Sequence, residues 1–402
     1  MNLDPVLKAL AAALAGEGPA VEFGPAGGEN SGRPRDLRAQ AHDGAWRLWR
    51  RSESAAALPE GTAVVVRTSG STGAPKATAL TVDALAASSM ATAMALKGEG
   101  QWLLALPLEY VAGVQVLVRS LFAGTRPWAM DLSGGFTPEA FADAAEQLTD
   151  PVRFTSLVPT QLRRLVDDDS PRVQIALARF MAILLGGAPI PPGLLDRARA
   201  AGVRVVTTYG SAETCGGCVY DGEPLEGVEV ELVDGRVWLG GEVVAAGYVG
   251  DPERTAEHFR TDEDGQRWYV SSDVGEIAPD GRLRILGRAD DVVITGGVKA
   301  SAARVAAELE SLPGVRESFV AGVEDPEWGQ ALAAAVVLTP PGAPEAGQPE
   351  ATFTAVREAA VVRLGRLAPK TWLVLEALPH LPNGKPDRRA ITDLLRARHA
   401  GT

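Results

Sequence analysis

The chain is expected to adopt an α/β fold, with a large N-terminal α/β domain, a β subdomain and a small α+β C-terminal domain. Three observations predict this. Between Gly61 and Val206, apolar runs of strand length alternate with helical patterns. After Leu225 the texture changes to short β-type runs separated by Gly-rich turns, and from Ala289 a second alternation of strands and helices begins. The resulting boundaries are residues 1–288 for the large domain and 289–402 for the small one. With 402 residues, 46% of them apolar and 22% charged, the chain can bury more than one core.

Taken in order, Lys8 to Ala15 is an Ala/Leu-rich amphipathic helix; Asp4 before it and Glu17 after it argue against a secretory leader. Ala63 to Val66 reads as a strand and Ala77 to Leu80 as its returning partner. Thr81 is an N-cap for a helix through Met94, and Pro138 with Glu139 opens another over Thr137 to Leu148. Strand runs follow at Trp102 to Pro107, Phe154 to Val158, Ala182 to Leu185 and Val203 to Thr207. The β subdomain is assembled from Val228 to Val233, Arg236 to Leu239, Arg267 to Val270 and Leu283 to Leu286. In the C-terminal block, strands are expected at Val292 to Ile294, Ser318 to Val323 and Ala331 to Leu338. Helices are expected there at Ser301 to Leu312 and Phe353 to Leu364, with Pro340 to Pro349 an exposed loop.

Composition excludes several function classes. A net charge of −12, with no Lys/Arg run interleaved with aromatics, argues against nucleic acid and anionic membranes as partners. No apolar run approaches a membrane span. Cys215 and Cys218 cannot make a disulfide framework, so a reducing cytoplasm is expected. The four histidines are scattered without metal-ligand spacing, which gives histidine zinc sites and Ser-His-Asp triads only weak support.

Thr68 to Lys76 carries the strongest chemical signal. Gly70 and Gly73 let backbone N–H groups approach a polyanion, Thr68, Ser69, Ser71 and Thr72 add hydroxyls, and Lys76 adds a cation. Flanked by strands, the segment lies at a sheet end, where ligands of α/β proteins bind. It is not the P-loop of nucleoside triphosphatases: two residues rather than four separate the glycines, and Ala77 rather than a hydroxyl residue follows the lysine. Taken alone, a polar surface hairpin remains the competing reading.

Five further segments follow in order: Gly186-Gly187-Ala188-Pro189; Tyr209-Gly210-Ser211-Ala212-Glu213-Thr214; Gly247-Tyr248; Ser272-Asp273-Val274-Gly275 with Gly287-Arg288-Ala289-Asp290-Asp291; and Gly384-Lys385. Over about Val64 to Arg389 this ordered set resembles the adenylate-forming superfamily of acyl-CoA synthetases, luciferases and peptide-synthetase adenylation domains. The resemblance implies ATP, Mg2+ and coenzyme A as reactants or cofactors and a small-molecule carboxylic acid as substrate. By the same resemblance Thr68 to Lys76 holds the β- and γ-phosphates. Gly186, Gly187, Ala188, Tyr209 and Gly210 border adenine, Asp273 and Arg288 meet the ribose, and Glu213 is the magnesium carboxylate, an appropriate hard ligand. Lys385 bridges the acid and the α-phosphate. Asp290 is the hinge on which a mobile small domain turns, and Gly296, Gly297 and Lys299 line the coenzyme A tunnel.

Within the superfamily, the o-succinylbenzoyl-CoA synthetases of menaquinone biosynthesis are the most similar group. They carry an arginine spaced as Arg119 is from Tyr110, facing the second carboxylate of the acid, a pairing that supplies charge and orientation together. Tyr110, Arg119, Ser211 and Ala212 are therefore the acid-binding candidates. Three features depart from the superfamily pattern: only 67 residues precede Thr68, Ala212 replaces a threonine, and Tyr110 replaces a histidine. Alternatives are a CoA ligase for another aromatic acid, a stand-alone enzyme loading a carrier protein, and a non-catalytic nucleotide-binding homologue. A homodimer is left open.

Overall fold

Strand Thr62–Thr68 carries four consecutive buried apolar residues, and Lys76–Thr81 returns antiparallel to it with Thr68 opposite Lys76. Runs apolar on both faces belong in the middle of a covered sheet. These two strands lie within a six-stranded sheet ordered Gly247–Tyr248, Lys76–Thr81, Thr62–Thr68, Val21–Pro25, Trp46–Arg50, Arg38–His42. The computed structural model describes residues 3–25, 38–42, 46–50, 58–68, 76–339, 353–380 and 386–401. They fall into two compact units, one of residues 1–189, 195–231 and 238–271, the other of 190–194, 232–237 and 272–402.

The first unit also holds a seven-stranded sheet. Its strands Gln101–Leu104, Arg153–Leu157, Ala182–Gly186 and Val205–Ser211 are parallel neighbours in that order, and Gly216–Tyr220 adds antiparallel to the last. Helices Val82–Leu96, Val111–Phe122 and Pro138–Glu146 belong to the same unit. Thr81 caps the first through its side chain, which accepts from the Ala84 N–H, and Thr137 caps the third in the same way toward Ala140. The first helix starts at Asp4, earlier than expected, because Pro5 suits an opening turn whose N–H groups need no partner. Within the unit, Glu22 is fully buried and its carboxylate takes the Arg67 Nε–H at 2.6 Å. That anchors the strand leading to Thr68.

A third sheet joins Val228–Val233, Arg236–Gly241, Arg267–Ile277 and Phe259–Thr261, with Leu283–Arg288 paired to Arg267–Ile277. Arg267–Ile277 is far longer than the four residues expected: it runs on through polar Ser272 and Asp273 because Asp273 to Ile277 pair antiparallel with Leu283–Arg288, across a bulge at Val274/Gly275.

In the second unit, Val298–Ser301, Val292–Thr295, Gly329–Leu338 and Val315–Asp325 are neighbours, and Thr371–Val374 pairs with Gly329–Leu338 in parallel. Period-two alternation decides which side each residue serves. Leu332, Ala334 and Val336 pack with Val305 and Leu309 of helix Ala302–Glu310, whereas Ala331, Ala333, Ala335 and Val337 pack with Ile391 and Leu395 of helix Arg388–Ala400. Small alanines on both faces let helices approach the sheet closely. Among the described residues no helix is long and apolar enough to cross a membrane.

Candidate active site

Three loops leave the carboxyl ends of parallel strands in the first unit. Tyr110 ends the loop after Gln101–Leu104 as the N-cap of helix Val111–Phe122; Gly186 ends Ala182–Gly186 and Gly187 follows it; Tyr209, Gly210 and Ser211 end Val205–Ser211. This is the rim at which open α/β sheets bind ligands. Gly186 pairs with Thr208, and a Cβ there would lie 2.3 Å from the Thr208 Oγ1. A Cβ on Gly210 would lie 2.1 Å from the Gly216 carbonyl oxygen. Both glycines are thus required by strand proximity. Gly187 is exposed, and Ala188 and Tyr209 are half-buried beside them.

Glu213 sits in a 3-10 turn, Ala212–Thr214, immediately after that rim, and is 5% exposed. The turn is tied at every residue. The Ser211 N–H donates to Thr214 Oγ1 at 3.0 Å, and that hydroxyl donates to the Gly216 carbonyl at 2.8 Å. Cys215 adopts a left-handed conformation, φ 51°, and its carbonyl accepts from the Gln115 amide at 2.5 Å and from the Ser88 hydroxyl at 3.2 Å. The Ala245 N–H donates to the Glu213 carbonyl at 2.9 Å. Glu213 Oε1 accepts from the Tyr248 hydroxyl at 2.8 Å, and Lys76 Nζ lies 5.1 Å from the centroid of the Tyr248 ring. Burial, together with the Glu213 charge, raises the Tyr248 pKa well above its ordinary value, so the phenol stays a donor.

The acid-binding candidates lie on or near helix Val111–Phe122. Arg119 is 6% exposed; its guanidinium carbon is 5.1 Å from the Trp102 ring centroid, and Nη2 is 3.5 Å from the Tyr220 hydroxyl. Its Nε lacks a hydrogen-bond partner among the described residues. Burial pushes the Tyr110 phenol up to about 12, with Glu109 adding to the rise. Ala212 is buried and Ser211 half-buried. Cys215 and Cys218 are free, fully buried thiols; burial raises both, Cys218 to about 12, and among the described residues no group of His, Cys, Asp and Glu could hold a metal by itself. A lone carboxylate still suits Mg2+, which takes one or two protein oxygens and completes its shell with water and phosphate. Buried Glu213 with one oxygen engaged by Tyr248 fits that donor set.

In the second unit Asp273 and Arg288 are direct cross-strand partners on Arg267–Ile277 and Leu283–Arg288. Asp290 falls in the 3-10 turn Ala289–Asp291. Gly296 and Gly297, φ 54° and 77°, close the hairpin between Val292–Thr295 and Val298–Ser301, and Lys299 is exposed on its return strand. Ser69, Gly70, Ser71, Thr72, Gly73 and Lys385 lie outside the described residues.

Gly247-Tyr248 carries no task in the sequence motifs, and Gln115 and Ser88 lie outside them. A glutamine and an arginine four residues apart, hence on one face, in a helix whose only other polar residue is Ser120, are the signal for Gln115.

The parallel sheet, its glycine-bordered rim and a hard carboxylate define a nucleotide-binding α/β enzyme. Residues 18–277 match the model of the AMP-binding enzyme family and residues 305–385 that of the AMP-binding enzyme C-terminal domain. The chain belongs to this family. A probable 2-succinylbenzoate–CoA ligase of Mycobacterium tuberculosis (strain ATCC 25618 / H37Rv) is 40% identical over 340 residues, 83% of this chain and 85% of that protein. The o-succinylbenzoate CoA synthetase MenE from Bacillus subtilis, solved with its acyl-adenylate intermediate OSB-AMP, superposes with a TM-score of 0.70 at 26% identity, covering 84% of this chain and 70% of that one. The same enzyme solved with ATP and a magnesium ion gives a TM-score of 0.68 at 27% identity, covering 86% and 73%.

Proposed function

We propose that this chain is an ATP-dependent, AMP-forming ligase joining 2-succinylbenzoate to coenzyme A through an acyl-adenylate. The observation that carries this reading is the 40% identity with the M. tuberculosis ligase across 83% of the chain. The carboxylate of the acid attacks the α-phosphorus of ATP and pyrophosphate leaves. The coenzyme A sulfur then attacks the acyl carbonyl, forming the thioester and releasing AMP.

Each residue set has a task in this reading. Thr68 through Lys76 hold the departing pyrophosphate, with Arg67, the residue before Thr68, fixed on Glu22. Gly186, Gly187, Ala188, Tyr209 and Gly210 form the adenine wall, and Asp273 and Arg288 take the ribose. Magnesium, held by Glu213, neutralises phosphate charge as it develops. Lys385 stabilises the pentavalent α-phosphorus. The buried guanidinium of Arg119, with Nε unused, is the group for the second carboxylate of the acid. Asp290 is the hinge between half-reactions, and Gly296, Gly297 and Lys299 serve coenzyme A.

Incubating the protein with ATP, Mg2+ and coenzyme A and a panel of succinylbenzoates, benzoates and alkyl acids, with products identified by mass, tests the assignment. The expected product is 2-succinylbenzoyl-CoA. Turnover of other acids with none of this one would discard the substrate and keep the class. Arg119→Ala is expected to raise KM for the dicarboxylic acid at least about tenfold, as loss of a charge-assisted pair should.

A further inference from the structure

Tyr248 occupies a position that the chain goes to some length to fix. It lies on a two-residue strand, Gly247–Tyr248, paired with Lys76–Thr81 so that Tyr248 faces Thr78. Gly247 has φ 137°, and a Cβ there would sit 2.5 Å from Thr255 Cγ2. The absence of that Cβ lets Thr255 Oγ1 accept the Tyr248 N–H at 2.9 Å. The ring is held edge-on by Phe259 at 5.3 Å and by His258 at 6.0 Å between centroids. The flanking Ala246 and Val249 N–H groups bond the Ala79 and Ala77 carbonyls at 3.0 and 2.8 Å.

The phenol is thereby delivered between two groups of opposite charge. Its oxygen stands 2.8 Å from Glu213 Oε1 and 3.4 Å from Lys76 Nζ, and the ammonium rests on its ring. A neutral donor on one carboxylate oxygen fixes the plane of that carboxylate and leaves the other oxygen for a cation. The same ring holds the lysine aside for phosphate. Such partners of a metal-binding residue orient it and tune its affinity.

We infer that Tyr248 is a positioning residue for magnesium: its hydroxyl aims the Glu213 carboxylate and spaces it from Lys76. This rests on the reading of Glu213 as the magnesium carboxylate. The Tyr248→Phe variant keeps the ring and removes the hydroxyl. Calorimetric titration with ATP, with and without Mg2+, should show Mg2+-ATP binding weakened about tenfold while metal-free ATP binding is unchanged. Thr255→Val, which loosens Tyr248 from its backbone anchor, should weaken Mg2+-ATP in the same direction by a smaller factor, and it serves as the test should Tyr248→Phe not fold. In a Glu213→Gln background, Tyr248→Phe should add no further loss. Equal weakening with and without metal, or unchanged Mg2+-ATP affinity in the folded variants, overturns the role of Tyr248 while leaving Glu213 in place. Unchanged metal dependence in Glu213→Gln itself overturns both assignments.

Discussion

The Ser211–Gly216 turn and the Val292–Ser301 hairpin each present chemistry from a tight bend, and they are built in opposite ways. The turn is buried, and both carbonyl and carboxylate of Glu213 are held, by Ala245 and Tyr248, while Gln115 and Ser88 clamp the next carbonyl but one. The hairpin is open: Ile294, Val298 and Lys299 are exposed, and its bend consists of two glycines with positive φ, as a type I′ turn requires. At the bend it meets Trp328, whose ring lies 2.3 Å from where a Gly296 Cβ would be and carries Lys370 Nζ at 3.7 Å from its centroid. The contrast suits the proposed roles: a carboxylate that is to meet a metal and a polyphosphate needs preorganisation, and a backbone strip proposed to serve a slender thiol arm needs absence of side chains.

If the two bends serve different half-reactions, damage should separate them. The largest effect is expected outside both: Lys385→Ala should lower ATP–pyrophosphate exchange at least about 100-fold while thioester formation from synthetic acyl-adenylate persists. Normal exchange in that variant would remove Lys385 from the adenylation step. Gly210→Ala, by driving a methyl group toward the Gly216 carbonyl, should cost about 1–3 kcal/mol in denaturant unfolding and depress exchange before thiolation. Gly297→Ala meets nothing within 4 Å, so its cost is backbone strain alone, about 1 kcal/mol, and its kinetic signature should fall on thiolation. Loss of exchange in both variants alike would abolish the distinction.

The smallest expected effect concerns Cys215 and Cys218. Thiol reagents at pH 8 should modify neither in the folded protein, because burial keeps both protonated, Cys218 up to about 12. The unfolded chain releases those protons first, near the ordinary thiol value of about 8.5, so stability should decline as pH rises past it. Rapid labelling of the native protein would show that the turn opens far more readily than its hydrogen bonds imply.

Much of this was legible from residue order. Thr81 and Thr137 announce their helices because a side-chain oxygen before an apolar-periodic run has one obvious use. The strands Ala182–Gly186 and Gly329–Leu338 stand out because their apolar runs match strand length. By contrast, helix Pro159–Val166 was not foreseen, since Pro159 follows a strand directly and only eight residues are helical. Val21–Pro25 has no such apolar run: a charged residue, Glu22, is buried in it, and Gly24 and Pro25 close it. In the site, Glu213 could be singled out within one motif. The bond from Tyr248, 35 residues away, has no local period to announce it, and neither does the Gln115 clamp 100 residues from Cys215.

That clamp carries a lesson for redesign. Gln115 and Arg119 sit one helical turn apart on Val111–Phe122, the first holding the Ser211–Gly216 turn and the second reaching toward Trp102 and Tyr220. In the proposed reading, selectivity and turnover therefore share one helix. Exchanging residue 119 leaves the Gln115 bond to Cys215 in place, whereas a one-residue insertion between Gln115 and Arg119 would turn one side chain about 100° further around the axis from the other, to roughly 140° apart, and disturb both contacts at once.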